Sequence, residues 1–471
     1  MSLVRYRKYM ILIVMAGFFC IAVSCTNDNS KKEASTVSSV SMPTIHIETN
    51  NKANITDNEM YLECFIDMSE CEKQYKLDKE PAGIRLRGNS TLTFDKKSYR
   101  MKFNEEQNLL GQGGGAKSWV LLANHCDPSL LRNYLALNLG SELEGIEWSP
   151  SANFIELYLN DEYQGVYLLC EQVQVHEARV NVETKSEEVD TGFLIELDKW
   201  AVSDGSIEGL NYFLVNKIPY SIKSMDDQAL DEEKYSNQIA FIQDYVLQVS
   251  DAIYGHDRLE IEQLIDMDSC VDMYILLELF KNIDAGWSLY MYKDQGGKLF
   301  FGPPWDLDTA AGNDYRMDME EFKDQYEYPY EHDYEGIYVG IAQEDPQRVI
   351  NKWSASNYYG KNDYSFQQRN DWYIELMKCD WFQILVKKRF NSIESKLESM
   401  LNSIDAVTEL YSTNFEDNFK RWNVWGTRIH MTPKALMQID TQRGQAEYLK
   451  NWLESRIDWL TKYLEQMEQT Q

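Results

Sequence analysis

Three acids in the second half of this 471-residue chain stand where chemistry, more than stability, explains them. Asp284, in Phe280-Lys281-Asn282-Ile283-Asp284, falls just past a long apolar stretch that reads as a helix. An acid there meets the negative end of the helix dipole, which stability alone disfavours. Asp306 and Asp308 follow in Trp305-Asp306-Leu307-Asp308, where a hairpin strand ends and both carboxylates converge on one edge. An acid at a helix end, a hairpin and a carboxylate pair is the order in which phosphoryl-transfer enzymes carry a base and a metal ligand. The competing reading is three turn acids on the surface of a very acidic protein.

A second cluster lies in the first half. Arg87-Gly88-Asn89-Ser90-Thr91 sets a strand-end cation beside a glycine turn whose hydroxyls and N–H groups suit phosphate. On the return strand Arg100 and Lys102 share a face, because strand side chains alternate with period two. With 46 basic against 76 acidic residues and a net charge of −30, such a cluster is informative, although a solvated sheet face would look the same. That charge repels phosphate backbones, which argues against a nucleic acid partner and requires any nucleotide site to be a local basic pocket. The loop Gly111–Ser118, GQGGGAKS, imitates a phosphate loop but runs into the strand Trp119–Asn124 where a helix is required, so it reads as a connector.

The elements that must position these groups follow from apolar spacing. Residues 44–103 alternate as an antiparallel sheet. Trp119–Asn124 is a short buried strand, and Asp127-Pro128 opens a helix to about Glu142, with Asp as cap and Pro at the first position. Strands at Phe154–Asn160, Val166–Val173 and Gly192–Asp198 precede a hairpin at Tyr212–Ser224 and helices at Glu233–Tyr254 and Ile261–Lys281. A hairpin, Leu289–Lys293 and Lys298–Gly302, leads into the acid pair. Residues 313–361 read as an acidic, Tyr-rich insertion, and the rest is helical, closing with Gln445–Met467. A β-rich half with one helix and a largely helical half containing one hairpin suit two lobes with a cleft between them, hinged at the end of Val166–Val173. Cys64 and Cys71 either pair or stay as free thiols, and no metal spacing appears among the cysteines.

At the N-terminus Arg5, Arg7 and Lys8 precede an apolar run from Met10 to Val23, shorter than the ~20 residues of a membrane span. Ala22 and Ser24 before Cys25 suggest a signal peptide (1–24) with a lipidation site at Cys25, against the alternative of an ordinary cleaved signal. Residues 25–42 are polar and Ser-rich, a tether. The expected location is the bacterial envelope, exported and held to the membrane by the lipid alone.

At these residues the chain resembles the CotH family, named after spore coat protein H. The resemblance rests on RLRGNST with KKSYRMKF, WVLLAN with DPSLLRNYLA, FIELYLNDEYQGVYLLCEQV, GFLIELD, NIDAGWSLYMYKDQGGKLFFGPPWDLDTAAGN and YLKNWLESRIDWL, which span about residues 44–465 in family order. It implies an α+β, two-lobed protein-kinase-like fold, with a β-rich N-lobe over 43–173 and a largely helical C-lobe over 174–471. It also implies phosphorylation of Ser/Thr on exported proteins from ATP with Mg2+ or Mn2+. Carried over, Asp284 is the catalytic base and Asp306 with Asp308 the metal-binding acids. Arg100 or Lys102 holds the nucleotide phosphates beneath Arg87 and Ser90, and Glu171 and Val173 meet adenine at the hinge. Where kinases place an Asn five residues after the base for a second metal, this chain has Leu289, with Ser288 beside it as the nearest oxygen ligand. The motifs do not identify the protein acceptor. Two other functions fit the same pattern: a surface binding or adhesion protein on a weakened kinase scaffold, and nucleotidyl transfer on the same fold.

Overall fold

The structure is a computed structural model that describes residues 41–110, 114–184, 188–202, 206–224, 232–282, 285, 288–315, 332–337 and 370–466. The signal, Cys25, most of the tether, most of the expected insertion and Asp284 lie outside the described residues. Ser41–Gln471 form a single unit of mixed strand and helix, so the α+β class holds.

Seven strands form a closed barrel: β1 (Thr44–Thr49), β2 (Leu62–Ser69), β3 (Leu77–Arg87), β4 (Ser98–Gln107), β5 (Ala116–Leu122), β6 (Asn153–Leu159) and β7 (Glu162–Glu171). Their order is β1-β2-β3-β4-β5-β7-β6, closed by the parallel pairing of β1 with β6. Period-two alternation gives the barrel its own core, with Ile66, Ile84, Met101, Phe103, Trp119 and Tyr167 inside. The strands β5 and β7 read as unbroken apolar runs because both of their faces are buried. Trp119, Leu121, Tyr167 and Leu169 fill the barrel, while Val120, Leu122, Val166 and Leu168 belong to a second core outside it.

That second core lies among the helices and a five-stranded sheet ordered β12-β11-β8-β10-β9. Its strands are β8 (Phe193–Asp198), β9 (Tyr212–Val215), β10 (Ile218–Ile222), β11 (Ser288–Lys293) and β12 (Leu299–Phe301). The half is largely helical, as expected, but the expectation of one hairpin in it is corrected to two, joined in one sheet. Phe193, Leu194, Ile195 and Leu197 of β8 are all buried, and β8 takes β10 on one edge and β11 on the other, joining two hairpins into one sheet.

The helix after β5, α1 (Arg132–Glu142), starts one turn later than the Asp127-Pro128 signal suggests. The Asp127 carboxylate accepts from Ser129 N at 3.0 Å and from Arg132 N at 2.9 Å, so it caps a turn that precedes the helix. α2 (Glu232–Gly255) matches the expectation, but the next expected helix is two, α3 (Arg258–Leu264) and α4 (Met267–Leu279). The break falls at Ile265, which bridges Leu299, and at Asp266, which caps α4 through Ser269 N. α5 (Trp372–Met377), α6 (Asp380–Ser392), α7 (Glu394–Leu410), α8 (Ser412–Arg421), α9 (Lys434–Met437) and α10 (Gln442–Gln466) complete the described helices. Cys64 and Cys71 are free thiols. The strand β5 begins at Ala116, so the glycine loop opens no helix.

Candidate functional site

Four chain segments converge on one cleft: the end of β3 with its turn, the start of β4, the end of β5 with the entry to α1, and the loop after β12. Arg87, Thr91, Phe94, Ser98, Asn124, His125, Asn133, Trp305, Asp306 and Asp308 line it. It therefore brings together three of the residues singled out in the sequence: Arg87, Asp306 and Asp308.

The turn after β3 is tight because Gly88 takes φ +95°, where a side chain would strike Thr91. Thr91 Oγ1 donates to Arg87 O at 3.2 Å, and Lys97 Nζ donates to Leu92 O at 2.8 Å and also to Phe94 O. Lys97 is thus spent on closing the turn. Arg87 lies over the Trp305 ring at 5.4 Å, which holds its guanidinium at the cleft beside the acid loop.

The acid loop is held from several sides. Asp306 sits at φ +64°, a left-handed conformation that is uncommon for a side-chain-bearing residue. Leu307 N donates to Asn133 Oδ1 at 2.9 Å. Asp308 Oδ2 accepts from the Cys126 thiol at 3.1 Å, and Asn313 Nδ2 donates to Asp308 O at 2.8 Å and Cys126 O at 2.7 Å. Burial pushes the Cys126 thiol well above its usual range, with the Asp308 carboxylate adding to the effect, so Cys126 stays a protonated donor. Across the cleft, burial together with the neighbouring Lys96 lowers the His125 imidazole to about 4, which leaves it neutral near pH 7.

Of the other expected site residues, Asp284 and Cys25 lie outside the described residues, and the described ones lie away from the cleft. Arg100 and Lys102 share the outer face of β4 while Tyr99, Met101 and Phe103 point into the barrel. They continue the face of Ser98, about 7 Å and about 14 Å further along at the usual strand rise, and neither lines the cleft. Ser90 is exposed in the 3-10 turn Ser90–Thr93, and Thr91 lines the cleft in its place. Glu171 ends β7 opposite Trp119, and its carboxylate accepts from Ser151 N at 2.7 Å and from the Ser151 hydroxyl. Val173 is core, 4% exposed, and its carbonyl accepts from Gln172 Nε2 at 3.1 Å. Ser288 begins β11 opposite Asp198, and Leu289 is buried in the second core. Sequence patterning leaves out Asn133, His125 and Cys126, since each acts through a fold contact that no local motif encodes.

The site gathers one guanidinium and two carboxylates, with hydroxyl and amide groups beside them. Oxygen ligands of this kind suit Mg2+ or Mn2+. Comparison with known proteins gives a family to set beside this geometry. A family model described as "CotH kinase protein" matches residues 84–460. The chain is also similar to the inner spore coat protein H of Bacillus subtilis (strain 168), 26% identical over 240 residues, which cover 49% of this chain and 59% of that protein.

Proposed function

The chain belongs to the CotH family, and on that premise we propose that its cleft transfers the γ-phosphate of ATP to a Ser or Thr hydroxyl of an exported protein. The observation that carries the reading is the meeting of Arg87 with Asp306 and Asp308 across one cleft, from parts of the chain far apart in sequence. In this reading the barrel and α1 act as an N-lobe over 43–173, residues 174–471 act as a C-lobe, and the nucleotide lies between them.

Asp306 and Asp308 would hold a divalent cation, which when bound neutralises phosphate charge. Arg87, stacked on Trp305, would meet the phosphate chain directly, and Thr91 and the turn N–H groups would border it. Arg100 and Lys102 on the continuing strand face would draw the anion in by charge. Asp284 would accept the proton of the acceptor hydroxyl as its oxygen bonds to the γ-phosphorus, while the bond from that phosphorus to the bridging oxygen breaks and ADP leaves. Neutral His125 adds no positive charge to the cleft at neutral pH. Export and a lipid anchor at Cys25 place the domain at the envelope surface in this reading.

A second reading, a binding protein on a kinase scaffold, is favoured by Leu289. At the position expected for a second metal ligand it is 2% exposed and carries no side-chain oxygen, while Ser288 beside it offers a hydroxyl. Thermal melts test nucleotide and metal together. ATP should raise the melting temperature of the wild type only with Mg2+ or Mn2+ present, by mass action. The Asp306→Asn, Asp308→Asn double variant should lose that dependence. Equal shifts in both proteins would remove the metal assignment.

A further inference from the structure

We propose that Asn133, the second residue of α1, is a positioning residue that holds Asp306 in its left-handed conformation and so sets the affinity of the cleft for Mg2+. The inference rests on the nucleotide and metal reading above and adds a residue to it. Asp306 at φ +64° is in the left-handed region, which costs a residue with a Cβ some strain although Asp tolerates it better than most, so a contact that fixes the next peptide helps to hold it there. The next peptide supplies that constraint, because Leu307 N donates to Asn133 Oδ1 at 2.9 Å.

Asn133 is itself fixed. It is 4% exposed, and its amide donates to Asn124 Oδ1 at 3.0 Å, at the end of β5. One side chain thus links barrel, helix and acid loop. Its neighbour Arg132, fully buried, grips the far end of the same loop, donating from Nε to Ala310 O at 2.8 Å and from Nη2 to Ala311 O at 3.1 Å. Arg132 is anchored in turn by a buried ion pair with Asp127. The first turn of α1 therefore clamps residues 307–311 at both ends. Arg132 carries the burial of an ion pair with it, so its loss would unfold the region. Asn133 makes only neutral hydrogen bonds and touches the loop beside Asp306, so its loss should chiefly release the conformation of that residue.

The test compares full-length wild type, Asn133→Ala and, as a control for lost stability alone, Leu135→Ala. Leu135 is buried on the same helix and contributes to the second core. Melting temperature is measured with ATP across a Mg2+ titration, and without either. Asn133→Ala should raise the half-saturating Mg2+ concentration at least tenfold, while Leu135→Ala should melt lower with the wild-type Mg2+ midpoint. An unchanged midpoint in folded Asn133→Ala, or an equal rise in Leu135→Ala, would overturn the positioning role while leaving the metal site standing. No Mg2+-dependent shift in the wild type would overturn the underlying nucleotide reading and this inference with it. If Asn133→Ala does not fold, Asn133→Ser, which keeps an acceptor for Leu307 N, takes its place. Failure of both to fold would assign Asn133 to core stability and also overturn the proposal.

Discussion

At the scale of single residues, His125 shows how the cleft's electrostatics differ from those of the acidic exterior. Burial first, then Lys96, lowers its pKa from the usual 6.5 to about 4, against an opposing pull from Asp95. In the unfolded chain the imidazole takes a proton as pH falls through 6.5, whereas in the folded chain it resists until about 4. The unfolded state therefore gains protons first, and stability that is whole above pH 6.5 is lost as pH falls toward 4. Between pH 7 and pH 5 the wild type should lose about 2 kcal/mol more than His125→Gln by that linkage. Urea melts at the two pH values check it, and equal losses would show that His125 is accessible to protons in the fold. Asp306, Asp308 and Arg87 were legible from residue type and local order alone. Arg100 and Lys102 show the limit of that reading. Period two gives their shared face, but how far the cleft extends along the strand depends on where the turn and the acid loop close over it.

At the scale of elements, one buried amide is among the groups that join the barrel to the helices. Asn418 on α8 accepts at Oδ1 from Val166 N at 3.1 Å and from Lys96 Nζ at 2.9 Å. Lys96 Nζ also donates to Ala123 O and Val166 O and lies over the Tyr167 ring at 4.5 Å, and burial holds its pKa well down. Gly165, at φ +92°, leaves room for Asn418, since a side chain there would strike the amide oxygen. Asn418→Ala would leave the buried Val166 N–H unpaired, so the variant should be about 1–3 kcal/mol less stable in chemical unfolding. A loss within error would mean that water enters and replaces the amide. The strands of the barrel were readable because each alternates or is buried on both faces. The Asp127-Pro128 signal read one turn early, since the carboxylate that marks a helix start here spans a turn before it. The split of α3 from α4 was hidden because Ile265 continues the apolar spacing while its backbone joins a strand.

At the scale of the whole molecule, what the sequence hid is non-local pairing. Closure of the barrel by β1 and β6, and the joining of two hairpins through β8, depend on strands more than a hundred or several tens of residues apart in the chain. Nothing in the local pattern of either partner records them. The family match covers residues 84–460, and the chain spans 59% of the length of its Bacillus subtilis relative. The proposed function requires this assembly to move a phosphoryl group and not merely to bind. The direct measurement gives full-length wild type and Asp284→Asn ATP labelled at either the γ- or the α-phosphate, with Mg2+, in the presence of envelope proteins. The account predicts transfer of the γ label by the wild type, none of the α label, and at least a ~100-fold slower rate in Asp284→Asn with ATP binding retained. Transfer of the α label, or γ transfer at the wild-type rate by folded Asp284→Asn, would contradict it.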